Sequence, residues 1–589
     1  MIKKLFVISA MLSVALAGSC KREYYTPKFN GGENGGSSTV TPGKSTGLHT
    51  IGEILPYTTV NSHAGEEKWS VLQPMWNDFT VIPHSYLIDQ SVPEAQRTVF
   101  YTRIKKMANG RYLMLYMGGE LGSRCYATTS DDLMKWSTPE LLLEPVQETV
   151  AGASDWIRYS GPDAVVLPNG DVLAVFSFRA NDHYSKGVGC GLVTMRSRNN
   201  GLTWSAPQKI HDGPTWEPYL LVLPDGRIQC YFTDPIPMTK NSGTSVMVSS
   251  DNGLTWTPKI RCSRMYKYNY DGPNTAYTGQ KIYTDQMPSF RVLNDGKTLL
   301  GFLECRLESP ASISGNSYYK VSVVYNDGLD WTDLGEESAG PPRRHTSAVN
   351  GAAGYVSNFP SGEVVLSCNI SSIFSLKLLD HEGANLTSSW DSGWLKAFDG
   401  KGCWGSTEAE DGNKLIATMR SANDGAQIGR FWLNHSQFVR SAAITVDGKS
   451  DEWPLDQALF VGGKKGSEAM IRVARDAENL YVAADYFDAS ALKIYVSNKE
   501  PKLTVKATLD GKGKLSLDGT GVTGKCGSAK AASGASGYVA EVKIPLSTLG
   551  AAAGDAVYLY AAISDASGEV PFTGALASTP SSWQRIVIK

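Results

Sequence analysis

PDAVVLPNGDVLAVFSFR, residues 162–179, decides the fold. One apolar run reaches Pro-Asn-Gly, turns, and a second apolar run returns. Asn-Gly or Asp-Gly between alternating hydrophobic runs is a strong β-hairpin signal, because the tight turn needs a residue that accepts positive φ. The same pattern recurs as RIKKMANGRYLMLYMGG (103–119), EPYLLVLPDGRIQCYFTD (217–234), MPSFRVLNDGKTLLGFLECR (287–306), GYVSNFPSGEVVLSCN (354–369) and GSTEAEDGNKLIATMR (405–420). The turn glycines are Gly110, Gly170, Gly226, Gly296, Gly362 and Gly412. Their spacing, roughly 50 to 70 residues, suits one four-stranded sheet with its loops. The expected fold is all-β: a six-bladed β-propeller, with segments between Leu48 and Gln96 supplying a closing strand.

A second repeat follows four of the hairpins: TTSDDLMKW, RSRNNGLTW, SSDNGLTW and YNDGLDW, ending at Trp136, Trp204, Trp256 and Trp331. These resemble the Asp box of sialidase-like propellers. An Asp or Asn side chain bonds nearby backbone N–H groups, Gly takes positive φ, and Trp plugs the blade. Their expected role is structural, with both Trp204 and Trp256 away from the ligand face.

The ends of the chain read differently. MIKK followed by LFVISAMLSVALA has the form of a signal segment, and its apolar run is too short for a stable membrane span. AGSC, ending at Cys20, resembles a bacterial lipobox, which implies cleavage before Cys20 and lipidation of its thiol. Residues 1–19 are then a lipoprotein signal peptide and 20–47 a Gly/Ser/Thr tether. The propeller is assigned to 48–440. From Ser441 the boxes stop and alternating strands continue to Lys589, which reads as a β-sandwich. ITVDGKSDEWP within it resembles the start of family 9 carbohydrate-binding modules; Trp453 there is expected to plug the core. Tyr486, Phe487 and Trp583 are the candidate exposed aromatics for sugar contact. The eight cysteines after Cys20 show no zinc spacing, and no disulfide pairing is assigned. A formal net charge of -2 with no basic stripe argues against a nucleic-acid partner.

In a hairpin, the start of the first strand and the end of the second share one edge of the sheet. The open ends of six hairpins can therefore gather around one propeller axis. They carry Arg103; Asp163, Arg179, Asn181, Asp182 and His183; Trp216, Glu217 and Asp234; Asp285, Gln286, Glu304 and Arg306; Tyr355 and Asn369; and Trp404 and Arg420. Glu217 and Glu304 adjoin strongly apolar strands, where burial raises a carboxyl pKa. Glycoside hydrolysis needs two carboxyls, one to protonate the leaving oxygen and one to attack or to activate water.

GPTWEPYLLVL and, one blade later, QMPSFRVLNDGKTLLGFLE are similar to segments of the family 93 glycoside hydrolases, six-bladed exo-arabinanases. VLAVFSFRANDH and GYVSNFPSGEVVLS extend the likeness, which covers about Thr98 to Asn434. The resemblance implies an exo-acting, retaining hydrolase of an arabinan-like polysaccharide. It gives the acid/base role to Glu217 and the nucleophile role to Glu304, and implies neither cofactor nor metal. The family's Arg-Pro-Gly before Met-Pro is replaced here by Thr284, Asp285 and Gln286, so substrate contacts there differ. The residues expected to bind substrate are Arg103, Arg179, Asp182, His183, Trp216, Asp234, Asp285, Gln286, Arg306, Tyr355 and Arg420. Two alternatives stay open: an exo-sialidase, with Arg103, Arg306 and Arg420 gripping a carboxylate, and a non-catalytic surface glycan-binding lipoprotein. The chain is expected in the cell envelope, tethered to a membrane through its lipid.

Overall fold

The computed structural model describes residue 48, residues 71–74 and 80–82, and most of 99–588; the longer stretches it leaves out after 99 are 270–280, 308–318, 380–393 and 572–582. The expected signal segment, Cys20 and the tether lie outside the described residues, as do Gly362 and Gly412. The described regular structure is β-strand, apart from two short 3-10 turns at Tyr184–Lys186 and Leu546–Leu549.

Six antiparallel sheets of four or five strands follow one another along residues 99–434. Their innermost strands are Val99–Lys106, the long Ala153–Val166, Trp216–Val222, Lys281–Val292, Ala352–Asn358 and Gly402–Glu410; we number the blades 1 to 6 in that order. Each inner strand touches the next, and the sixth touches the first, so the ring closes. Closure is completed from the N-terminal side. Val71–Pro74 pairs with Gly425–Asn434 in blade 6, Val71 opposite Asn434, and Thr80–Ile82 pairs with the same strand. The sequence expectation of a closing strand upstream of Gln96 is met there. The fold is thus a six-bladed propeller, and the described turn glycines Gly110, Gly170, Gly226 and Gly296 all adopt positive φ.

The apolar cores lie between blades. Six clusters alternate around the ring, each mixing residues of two neighbours, such as Leu113 with Val172 for blades 1 and 2 and Tyr219 with Phe290 for blades 3 and 4. The box tryptophans sit at four of these seams: Trp136 between blades 6 and 1, Trp204 between 1 and 2, Trp256 between 2 and 3, Trp331 between 3 and 4. Each packs its own blade onto the preceding one. In the third box Asp251 accepts the N–H groups of Leu254 and Thr255 at 3.1 and 2.9 Å and the Thr255 hydroxyl at 2.5 Å. Those donors hold its carboxyl down at about 2.

After blade 6 two further sheets face each other across an apolar core that includes Val461, Ile471, Val482, Ile494, Val542 and Ile563. Trp453 is buried and its indole donates to Glu541 at 2.7 Å, so it plugs the core as expected. The three aromatics read as exposed are not. Tyr486 is 0 % exposed, Phe487 6 % and Trp583 4 %. Tyr486 lies inside the sandwich core, and Trp583 packs on Tyr560 and Tyr495. The sequence signal failed because both faces of the strand Asn479–Phe487 are buried, where alternation predicts one wet face.

Candidate active site

All six inner strands break register at the same level. The irregularities fall between Phe100 and Arg103, Ser160 and Asp163, Trp216 and Tyr219, Gln286 and Ser289, Ala352 and Tyr355, and Cys403 and Ser406. Each bulge contains one residue in the left-handed region: Tyr101 (φ 52°), Gly161 (59°), Glu217 (50°), Met287 (53°), Ala353 (55°) and Trp404 (51°). Five of the six are not glycine, and such a conformation costs about 1–3 kcal/mol each unless its surroundings impose it. Bulges re-aim side chains at the rims of sheets. Here they turn one residue per blade toward the axis, and all six line a single cavity together with Arg103, Pro218, Tyr219, Pro288 and Tyr355.

Glu217 is itself a bulge residue and is half-buried. Its carboxylate accepts the Tyr101 hydroxyl at 3.1 Å and the Thr233 hydroxyl at 2.9 Å. Burial raises its pKa, while those two hydroxyls and Arg103 work against the rise. Glu304, at the end of the second strand of blade 4, is 5 % exposed. It accepts Gln286 Nε2 at 2.5 Å and the Ala353 N–H at 2.8 Å. Burial, and then the nearby charge of Glu217, push its pKa up to about 7. Burial, and then the charges of Glu217 and Glu304, raise the pKa of Tyr101.

Aromatic and guanidinium groups surround this pair. Arg103 stands over the rings of Tyr101 and Tyr355, at 5.5 and 5.1 Å, and donates to the carbonyls of Thr102, Trp404 and Gly405. Tyr101 and Trp404 stack with centroids 5.6 Å apart. Arg420 lies over Phe100 and Trp404 at 4.2 and 5.6 Å. Arg179 lies over Trp216 at 5.1 Å, and the Trp216 indole donates to the Tyr184 hydroxyl. Arg306 is near enough to Glu304 to oppose its pKa rise.

The remaining expected residues stand elsewhere. Asp234 is buried within blade 3, paired with Lys259 and Arg261 at 2.8 Å and bonded by Ser245, so its charge is spent on its own outer strands. Asp285 is fully buried and accepts the Ser263 hydroxyl at 2.6 Å. Asp182 and His183 are pinned at the outer end of blade 2 by buried Asp155, which accepts both backbone N–H groups and lies 2.8 Å from His183 Nδ1. Of the expected residues Arg103, Glu217 and Tyr355 line the cavity; these four do not, and neither do Arg179, Trp216, Gln286, Glu304, Arg306 or Arg420. Those four stand at the hairpin mouths, as expected, with side chains turned away from the cavity into pairings of their own.

Below the bulge ring a charged layer fills the axis. Buried Lys105 pairs with Glu408 at 2.9 Å and reaches Tyr355 at 3.4 Å, and Arg291 reaches Glu408 at 3.5 Å. Fully buried Asp163 accepts the Leu220 N–H at 2.9 Å; burial raises its pKa, with Lys105 and Arg103 opposing. Of the groups in this layer only Tyr355 also lines the cavity. Among the described residues no group of three or more His, Cys, Asp or Glu side chains is arranged to hold a metal ion.

No known protein family matches the sequence, and no curated protein does. Among solved structures, a protein of unknown function from Dyadobacter fermentans is similar at 13% identity and a TM-score of 0.45, over 62% of this chain and 99% of that one. An α-L-arabinanase of Penicillium chrysogenum, solved with arabinobiose, aligns at 17% identity and a TM-score of 0.39, over 61% and 97%. A sialidase described as Hadza microbial aligns at 13% identity and a TM-score of 0.38, over 57% and 66%. These likenesses assign no activity to the chain.

Proposed function

We propose that the protein is an exo-acting glycoside hydrolase that cleaves a polysaccharide by a retaining, two-carboxylate mechanism, with arabinan the substrate indicated by the sequence resemblance. The observation that carries the reading is the Glu217–Glu304 pair on adjacent blades: Glu217 lines the axial cavity, and Glu304 lies behind it, bonded to the N–H of the lining residue Ala353. Two carboxyls near each other do not ionise together, and the shared proton rests on the one less able to bear charge. That one is Glu304.

The resemblance implies Glu217 as acid/base and Glu304 as nucleophile; we infer the reverse from burial, since Glu304 is 5 % exposed and Glu217 half-buried. A general acid must hold its proton near neutral pH, which suits Glu304. A nucleophile must be ionised; both carboxyls have two donors and an arginine favouring charge, and Glu217 is the one that keeps access to water. Glu304 then protonates the glycosidic oxygen while Glu217 attacks the anomeric carbon to form a glycosyl ester. The Glu304 carboxylate next takes a proton from water, whose oxygen displaces Glu217 with overall retention. Azide rescue tests the assignment. Glu217→Ala with azide should give a glycosyl azide of inverted configuration, and Glu304→Ala one of retained configuration. The opposite pattern returns the roles to those of the resemblance, and absence of hydrolysis by the unmutated enzyme on linear arabinan and on a sialyl conjugate sinks the hydrolase reading.

One observation favours a second reading. The Tyr101–Glu217 hydrogen bond is the kind of Tyr–Glu couple that a sialidase uses as its nucleophile. That reading requires Tyr101 to bear the covalent sugar and sialyl conjugates to be cleaved.

We also infer from AGSC that the mature chain begins at a lipidated Cys20 and is tethered to a membrane. Cys20→Ala should move the protein to the soluble fraction; retention of an uncleaved, membrane-bound leader contradicts this.

A further inference from the structure

The wall that leads outward from the cavity along blade 2 carries two facing arginines. Arg158, on the strand Ala153–Val166, is directly opposite Arg179 on Val172–Ala180. Like charges directly opposed across a strand pair are destabilising. Burial pushes Arg179 below the usual guanidinium range, and Arg158 pushes in the same direction. Tyr184, Tyr101 and the charge of Glu217 oppose the fall, but among the described residues neither arginine is hydrogen-bonded or ion-paired to a carboxylate. Arg179 is instead held over the rings of Trp216 and Tyr184, at 5.1 and 5.8 Å. The pair costs the folded state energy and leaves two forks of N–H donors without an anion.

Their position says where an anion would sit. Gly161 of the same strand lines the cavity. Arg158 lies three residues further out, about 10 Å at ~3.3 Å per residue. Trp156, two residues beyond Arg158 and so on the same face of the strand, is 48 % exposed. The wall thus presents an exposed ring, then two guanidinium groups, then Trp216 beside Glu217. A planar carboxylate matches a guanidinium fork with two parallel hydrogen bonds.

We propose that Arg158 and Arg179 hold the carboxylate of an acidic sugar next to the one being released, so that the substrate is not plain arabinan but a glycan with a uronic acid beside the arabinose-type unit. This rests on the hydrolase reading of the Glu217–Glu304 site and adds its substrate class. Because the arginines lie outside the bulge ring, the acidic group belongs to the neighbouring sugar and not to the one whose bond is cut.

The test is calorimetric titration of the full-length Glu304→Gln protein with uronic-acid oligosaccharides of galacturonate, glucuronate and mannuronate type. Each is run beside its carboxyl-reduced counterpart, and sulfated neutral oligosaccharides form a further arm. At least one uronate should bind about tenfold or more tightly than its reduced form, as expected for hydrogen bonds to a charged group. That preference should shrink with salt and disappear in Arg158→Met, with Arg158→Lys keeping part of it. Arg158→Met should also melt at a higher temperature, since a repulsion is removed; a merely structural arginine would give a lower one. No uronate preference, a preference unchanged in Arg158→Met, or sulfate preferred over every uronate overturns the proposal. The hydrolase reading fails separately. If the active enzyme cleaves no glycan yet the uronate preference stands, the anion site survives and the catalytic reading falls; if neutral arabinan is cleaved with no uronate preference, the reverse holds.

Discussion

Tyr101→Phe separates the two chemistries available to this site. The substitution removes one hydroxyl, bonded to Glu217 Oε1 at 3.1 Å, and leaves the ring stacked on Trp404. A hydrogen bond to a charged group contributes about 1.5–3 kcal/mol. Thr233 still donates to the other carboxylate oxygen at 2.9 Å, so Glu217 keeps one hydroxyl donor. If Glu217 is the nucleophile, kcat/KM on an aryl arabinofuranoside should fall about 10- to 150-fold. The pH profile should move as well. The lost donor stabilised the ionised form of Glu217, so its pKa rises and the acid limb of kcat/KM shifts to higher pH. If Tyr101 itself carries the sugar, the loss should reach that of removing a nucleophile, about 10⁴-fold or more. Unchanged activity with an unmoved acid limb would refute the idea that Tyr101 supports Glu217 at all.

Other outcomes follow from the same geometry. The basic limb of kcat should lie near pH 7, where Glu304 loses its proton, and moving that limb below pH 5 would contradict Glu304 as the acid. Because folding raises Glu304 from 4.5 to about 7, its contribution to stability is complete below pH 4.5 and is lost as pH rises toward 7 and beyond; Glu304→Gln should remove up to about 3 kcal/mol of that decline, read as a smaller fall in melting temperature between pH 5 and 8. In the sandwich, Arg472 and Asp485 form a buried ion pair at 2.6 Å. Arg472→Met strands the carboxylate and should destabilise that module by about 3–5 kcal/mol in a denaturant melt, with Arg472→Met/Asp485→Leu recovering most of the loss.

The fold was legible because it is written as repetition. Six hairpins and four boxes state the blade count without reference to any single residue, and the seam position of Trp204 and Trp256 follows from box geometry. The proposed carboxyl pair drew notice for a different reason: Glu217 and Glu304 are charges set against apolar strands, a conflict that sequence displays. The bulge ring was missed. Its signal was present as a left-handed residue followed by Pro or Gly in five strands, Gly161-Pro162, Glu217-Pro218, Met287-Pro288, Ala353-Gly354 and Trp404-Gly405, but a bulge shifts register and so hides inside an alternating pattern. Tyr101 was passed over on that account, and so was the stacking of Tyr101 on Trp404. Asp234 and Asp285 were misplaced because sequence reports a charge at a strand end and not the Lys259, Arg261 or Ser263 that faces it. Arg158 had no signal, since its meaning lies in the cross-strand register with Arg179.

The central claim is that Glu217 forms a covalent bond to sugar while Glu304 supplies the proton. The most direct measurement is to treat the enzyme with an arabinofuranose-configured carbocyclic epoxide, digest it, and locate the adduct by mass spectrometry. One adduct per chain is expected, on Glu217, formed quickly in the unmutated enzyme and more slowly in Glu304→Gln, where the proton for ring opening is missing. An adduct on Glu304 or Tyr101, or none at all in an enzyme that hydrolyses arabinan, would contradict it.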